Sequence, residues 1–120
     1  MNDKARDLKD RTKKFAIEII KLVEMISKSR IADIIGGQLL RAGTSVGANY
    51  RAACRARSRA DFISKMGIVE EETDESLYWL ELLIETKIVD KKQIQYLLDE
   101  SNEIIAVVVA SINTARKNRK

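Results

Sequence analysis

Histidine and proline are both missing from this 120-residue chain, and cysteine occurs once, at Cys54. Without histidine, the Ser-His-Asp and Cys-His arrangements of nucleophilic catalysis have no base, and most transition-metal sites have no nitrogen ligand. A single cysteine closes no intrachain disulfide. Missing proline removes the strongest helix breaker. The six aromatic residues, Phe15, Tyr50, Phe62, Tyr78, Trp79 and Tyr96, do not interleave into a base-stacking platform. No apolar run reaches the length of a membrane span or follows the layout of a signal peptide, so the expected location is the cytoplasm. There is also no phosphate-cradling Gly-x-x-x-x-Gly-Lys loop and no dinucleotide fingerprint.

What the chain does have is helix-forming material. Hydrophobic residues make up 45% of it, enough to bury one real core, and Ile, Leu, Ala, Glu and Lys dominate. The expected fold class is all-α, as one domain over residues 1–120. Its net charge of +4 is strongly segregated: successive thirty-residue quarters carry +4, +4, −7 and +3. A surface with a cationic side suited to polyanions and an anionic side elsewhere follows from that pattern.

Hydrophobic spacing predicts four helices. The first runs from about Asp3 to Ile26, with Leu8, Phe15, Ile19, Leu22, Val23 and Ile26 on one stripe. Ile17 and Ile20 point away from that stripe. Serines in SKSR at 27–30 supply caps for the second, whose stripe is Ile31, Ile34, Ile35, Leu39, Ala42, Val46, Ala53 and Cys54. Ser58 followed by Asp61 is a capping-box pattern for the third, which runs to about Thr86. Phe62, Met66, Val69, Thr73, Leu77, Leu80 and Ile84 face inward there, leaving Tyr78, Trp79 and Leu82 outside the stripe or at its edge. Asp90 with Gln93 repeats the capping logic before a fourth helix with Ile94, Leu97, Leu98, Ile105, Val108 and Ile112 on one face and Tyr96 and Val107 on the other. Short connections between four such helices make an antiparallel up-and-down bundle. Apolar residues recurring on outward faces, namely Ile17, Ile20, Tyr78, Trp79, Leu82 and Tyr96, mark an oligomer interface.

The stretch Leu39–Lys65, LLRAGTSVGANYRAACRARSRADFISK, organises the rest. Gly43 and Gly47, continued by Ala48, Ala52 and Ala56 at the same interval, form a strip where a neighbouring helix approaches closely. Cys54 belongs to this strip as a small buried hydrophobe. Gly36, Gly37, Gly43 and Gly47 each cost roughly 1 kcal/mol in a helix interior, which invites a kink near GTSVG and implies close backbone contacts. Asn49 and Gln38 lie near the buried side and need hydrogen-bond partners if buried. Arg51 and Arg55 share a face, and Arg57 and Arg59 follow at the helix end. Two readings fit these arginines: a solvated face that suits the helix dipole, or a phosphate-binding patch.

The acidic run EEETDE at 70–75 reads as a solvated helix face, since no second acidic helix completes a metal site. With no catalytic constellation, the expectation is a protein that is not an enzyme and uses no cofactor or metal.

The segment LLRAGTSVGANYRAACRARSRADFISKMGIVEEETDESLYWLELL resembles the hallmark of the 23S rRNA intervening-sequence protein family. The resemblance extends from DLKDRTKKFAIEIIKLVE at 7–24 to SINTARKN at 111–118. It implies a four-helix protomer that assembles as a pentameric barrel, encoded in some bacteria within an insert of the large-subunit rRNA gene. The fold is also similar to that of the accessory proteins of diversity-generating retroelements, basic pentamers that bind nucleic acid and a reverse transcriptase.

The function these readings favour is a non-enzymatic homo-oligomer that binds RNA or DNA through backbone charge. Arg51, Arg55, Arg57 and Arg59 form its centre, and Lys9, Lys13, Arg116 and Lys117 support it. Arg119 and Lys120 extend the same basic tail. The competing reading is an oligomeric protein-interaction scaffold, with a reverse transcriptase as one partner by fold analogy, whose charges only keep it dissolved.

Overall fold

A computed structural model describes residues 3–118, so Arg119 and Lys120 of the basic tail lie outside the described residues. Among the described residues there are four α-helices and no strand: α1 (Asp3–Met25), α2 (Arg30–Cys54), α3 (Arg59–Glu85) and α4 (Gln95–Lys117). A single 3₁₀ turn, Lys91–Ile94, leads into α4. The body is elongated, with extents of 52 × 22 × 21 Å. No described helix is long and apolar enough to cross a membrane.

α2 and α3 begin where the sequence supplies a serine cap. Ser29 Oγ accepts from the backbone N–H of Ala32 at 3.1 Å, and Ser58 Oγ accepts from that of Asp61 at 3.0 Å. Asp61 departs from the standard box: its Oδ2 accepts from the backbone N–H of Arg57 at 3.4 Å, one residue before the cap. Gln93 Oε1 accepts from the backbone N–H of Asp90 at 2.8 Å, so this capping box starts the 3₁₀ turn, which the sequence reading merged with α4.

The end of α3 is closed by a Schellman arrangement in which the backbone N–H of Ile88 donates to Leu83 O and that of Lys87 to Ile84 O, both at 2.9 Å. It places Lys87 at φ 64°, a left-handed position usually given to glycine.

Phe15, Ile19, Leu39, Val46, Met66, Val69, Leu80, Leu83, Ile104 and Val108 fill the centre. Thr12, Thr73, Ser76 and Ser101 are also fully buried. Their hydroxyls donate to carbonyls three or four residues back in their own helices, at 2.7 to 3.2 Å. Satisfied in this way, small hydroxyl residues serve as core filler.

The glycines of α2 explain how α1 approaches. A Cβ on Gly43 would collide with the Ile19 side chain, and one on Gly47 would press on Thr12 Oγ1 at 3.3 Å and on Thr12 backbone at 3.4 Å. The contacts run in opposite senses along the two helices: Thr12 faces Gly47, Ile19 faces Gly43, and Val23 and Ile26 face Gly36. Helical structure continues unbroken through GTSVG.

Several expected placements are corrected. Ile31 and Ile34 are more than half exposed, because the buried face of α2 is centred on Ala32, Ile35 and Leu39. Ala48 is exposed and Ala52 and Ala56 are half-buried, since Ala48 stands about 100° from Gly47 around the helix. Cys54 is half-buried. In α3, Ser76 and Leu83 take the central positions and Leu77 and Ile84 the shoulders; in α4, Ser101 and Ile104 displace Leu98 and Ile105 in the same way. Gly37 has open space around it. Gln38 is exposed, whereas half-buried Asn49 donates Nδ2–H to Ser45 O at 2.8 Å.

Candidate nucleic-acid interface

One end of the molecule gathers the start of α1, the end of α2, the start of α3 and the end of α4 around a single open cleft of about 1090 Å³. It exists because α1 and α4 pack closely against α2 and α3 respectively but touch each other only sparsely. Leu8, Phe62, Val107 and Ala110 give it apolar walls, and Lys4, Asp7 and Arg11 bring charge to it. Tyr50 seals the floor: its hydroxyl donates to Ala5 O at 3.3 Å, and burial, aided by the Cys54 thiol, pushes its phenol well above the ordinary range.

The arginines lie near the helix termini of this end, though none of them lines the cleft. Arg55 and Arg57 flank Ala56, a lining residue; Arg59 opens α3 one turn before Phe62; Arg116 and Lys117 lie between the lining residues Ala115 and Asn118. Arg51 sits in the last turn of α2. All of these side chains are exposed, and none forms an ion pair within 4 Å among the described residues. The nearby acid Asp61 is shared between the Arg57 backbone and Lys65. Asp61 accepts from Lys65 Nζ at 2.6 Å, which holds its carboxyl below the usual range. Arg11, in turn, is committed to Glu100, whose carboxylate holds the guanidinium above its ordinary value.

Two helix starts and two helix ends meet here, so their dipoles cancel to first order and the positive field comes from side chains. On α1, Lys9 is half-buried and Lys13 exposed, and neither lines the cleft.

The acidic third quarter is organised differently. Arg41 of α2 reaches both Glu72 and Glu75 of α3, and Trp79 Nε1–H donates to Glu75 at 3.1 Å. These bonds hold the Glu75 carboxyl below its ordinary value, the Trp79 bond contributing most. Among the described residues no group of three or more His, Cys, Asp or Glu side chains is placed to hold a metal ion.

The expected interface residues divide. Ile17, Ile20, Tyr78 and Tyr96 are exposed. Trp79 is half-buried and packs on its own core, with Tyr78 edge-on at 5.1 Å, and Leu82 is half-buried too. Lys14 Nζ covers the Tyr96 ring at 5.1 Å from its centroid. Sequence reasoning assigned Phe62 to the core and gave Tyr50 no role in a site. Phe62's place one turn into α3, directly after four arginines, is the signal that would have found it.

The molecule is thus a four-helix, all-α protein among the described residues, with Arg51, Arg55, Arg57, Arg59, Arg116 and Lys117 exposed and without an ion pair near the helix termini of one end. The chain belongs to the 23S rRNA-intervening sequence protein family, whose model matches residues 5–110. It is similar to a crystal structure of a protein with unknown function from the S23 ribosomal protein family of Bacteroides thetaiotaomicron VPI-5482. The two share 39% identity and a TM-score of 0.81 over 87% of this chain and 96% of that one. A comparison with curated proteins finds no match.

Proposed function

We propose that this protein is a non-enzymatic, homo-oligomeric nucleic-acid-binding protein of the cytoplasm that holds phosphates with the arginines at the cleft end. The observation that carries this reading is the absence of any ion pair on Arg51, Arg55, Arg57 or Arg59 among the described residues, although acids lie close by. Unpaired guanidiniums release counterions when a phosphate backbone arrives, and that release drives sequence-independent binding. An antiparallel up-and-down order of helices is supported by the opposed pairing of α1 with α2 and by the four helix termini lining one cleft.

Self-assembly, as a pentamer by family resemblance, repeats the patch and multiplies weak contacts through avidity. Exposed Ile17, Ile20 and Tyr78 are the surfaces available for it.

The test is binding of fluorescently labelled rRNA fragments and duplex DNA across a salt series. Neutralising four phosphates per protomer gives a slope of log K against log salt of roughly −3. The double substitution R51E/R55E abolishes binding while circular dichroism stays unchanged. Binding that is insensitive to salt and depends on Tyr78 and Leu82 would instead identify a protein-interaction scaffold.

A further inference from the structure

Resting on the self-assembly reading, we infer that copies of this chain join through unlike faces, the outer side of the α1–α2 groove on one copy receiving the outer side of α3 on the next. Each face has an apolar centre that its own protomer leaves in solvent. Ile17 and Ile20 of α1 and Leu40 of α2 are exposed on the first. Tyr78 of α3 is more than half exposed on the second, with half-buried Leu82 one turn further on.

Helical register puts each set together. Ile19 meets Gly43 and Val23 meets Gly36, and this opposed run of contacts brings Ile20 and Leu40 to the same level of the α1–α2 groove. Ile17 lies one turn along α1 from Ile20. On α3, Glu71, Asp74, Tyr78, Leu82 and Glu85 recur at three- and four-residue intervals and share a side, opposite buried Val69, Thr73 and Leu80.

Charge complementarity selects which face meets which. The α3 face is anionic throughout: Glu71, Asp74 and Glu85 flank Tyr78 in both directions without an ion pair among the described residues, and the chain has no lysine or arginine between Lys65 and Lys87. The α1 face is cationic at one end, where Lys9 and Lys13, also without ion pairs among the described residues, outnumber Asp10. Glu24 lies beyond its other end. Pairing α3 with α3 would set carboxylates against carboxylates, which opposes a two-fold contact through that face. Acids stand on both sides of Tyr78, so either direction of docking on α1 brings an acid to the lysines.

α1 and α3 make few contacts with each other, so the two faces lie on different sides of the protomer and one copy can use both at once. An interface between unlike faces is heterologous, and it adds copies until the assembly closes on itself.

The experiment is sedimentation velocity on the full chain over a concentration series, with Ile20→Glu and Tyr78→Glu. Both positions are exposed, so circular dichroism stays unchanged. Each variant is expected to weaken self-association by about tenfold or more, as the loss of an interface anchor does. Lys13→Glu weakens it as well. Mixed together, the first two variants form a 1:1 heterodimer: Ile20→Glu keeps an intact α3 face, Tyr78→Glu keeps an intact α1–α2 face, and the reciprocal contact would oppose two glutamates.

Either variant assembling as tightly as the wild type, or a mixture that stays monomeric, overturns this pairing and leaves self-assembly standing. A wild-type protein that stops at two copies also overturns it, because a two-fold dimer joins like faces. A wild type that is monomeric at every concentration overturns self-assembly too.

Discussion

Arg11 and Glu100 form the joint between α1 and α4: Arg11 Nε donates to Glu100 Oε2 at 3.0 Å and Nη2 to Oε1 at 2.7 Å. Arg11 also lines the cleft, so the pair ties that part of its wall to α4. Glu100 is largely buried and Arg11 about a third exposed. Discounted for that exposure, Glu100→Ala is expected to cost about 1–2 kcal/mol. Urea unfolding measures it. An unchanged midpoint would mean that apolar packing alone holds α4 to the rest.

Glycine substitutions should separate close approach from open surface. Gly43→Ala drives Ile19, fully buried, out of its position and is expected to destabilise by about 1–3 kcal/mol. Gly37→Ala meets nothing in the protomer and should stabilise by up to about 1 kcal/mol through helix propensity. Chemical denaturation of both variants checks the opposite signs. A loss at position 37 would reveal a close contact with another copy.

Lys87 occupies a left-handed position that costs a side chain about 1–2 kcal/mol. Glycine gives back part of this through its freer unfolded chain, so Lys87→Gly is expected to raise stability by about 0.5–1 kcal/mol. Lys87→Val should lower it. Thermal melts of the two variants on either side of the wild type are the expected result, and a stabilising valine would contradict the αL assignment.

The carboxyls of Asp61 and Glu75 both lie below their ordinary values, Asp61 chiefly through Lys65 and Glu75 chiefly through Trp79. A depressed folded-state value means that the unfolded chain binds the proton more readily. Their stabilisation is therefore present above the ordinary values of 3.8 and 4.5 and is lost as pH falls through and below them. Both groups are only half-buried, so the effect is small. Trp79 is the chain's one tryptophan and bonds to Glu75, so its emission during acid titration reports the loss. Glu75→Gln should remove that spectral step; a step that persists would assign it to another group.

Much of the fold was legible along the chain. Ser29 and Ser58 stood where helix caps are needed, and both accept the expected backbone hydrogen bonds. Phe15, Ile19 and Leu22 announced the buried face of α1 because its polar residues leave a clean stripe. In α3 the apolar residues spread nearly around the helix. Periodicity therefore could not choose between Ser76 and Leu77, or between Leu83 and Ile84, and polarity argued for the wrong member of the first pair.

The site was legible in composition and hidden in shape. Four arginines in RAACRARSR, residues 51–59, promised positive charge, but whether neighbouring acids would cancel it depended on side-chain partners. The structure commits Asp61 to Lys65 and Glu72 and Glu75 to Arg41, leaving those arginines unpaired among the described residues. A cleft between residues as distant in the chain as Leu8 and Val107 left no local trace.

The sequence by itself determined the helices, their caps, the charge segregation and the family, because each depends on residues within a few turns of one another or on their linear order. Only the tertiary structure decided which shoulder residues are buried, which charges pair, and where α1 and α4 part to open a cleft. Those outcomes depend on the distance between helices. In α2 that distance is set by the missing side chains of Gly43 and Gly47, which let Ile19 and Thr12 come close. Such a dependence on what lies opposite cannot be read from a helix alone.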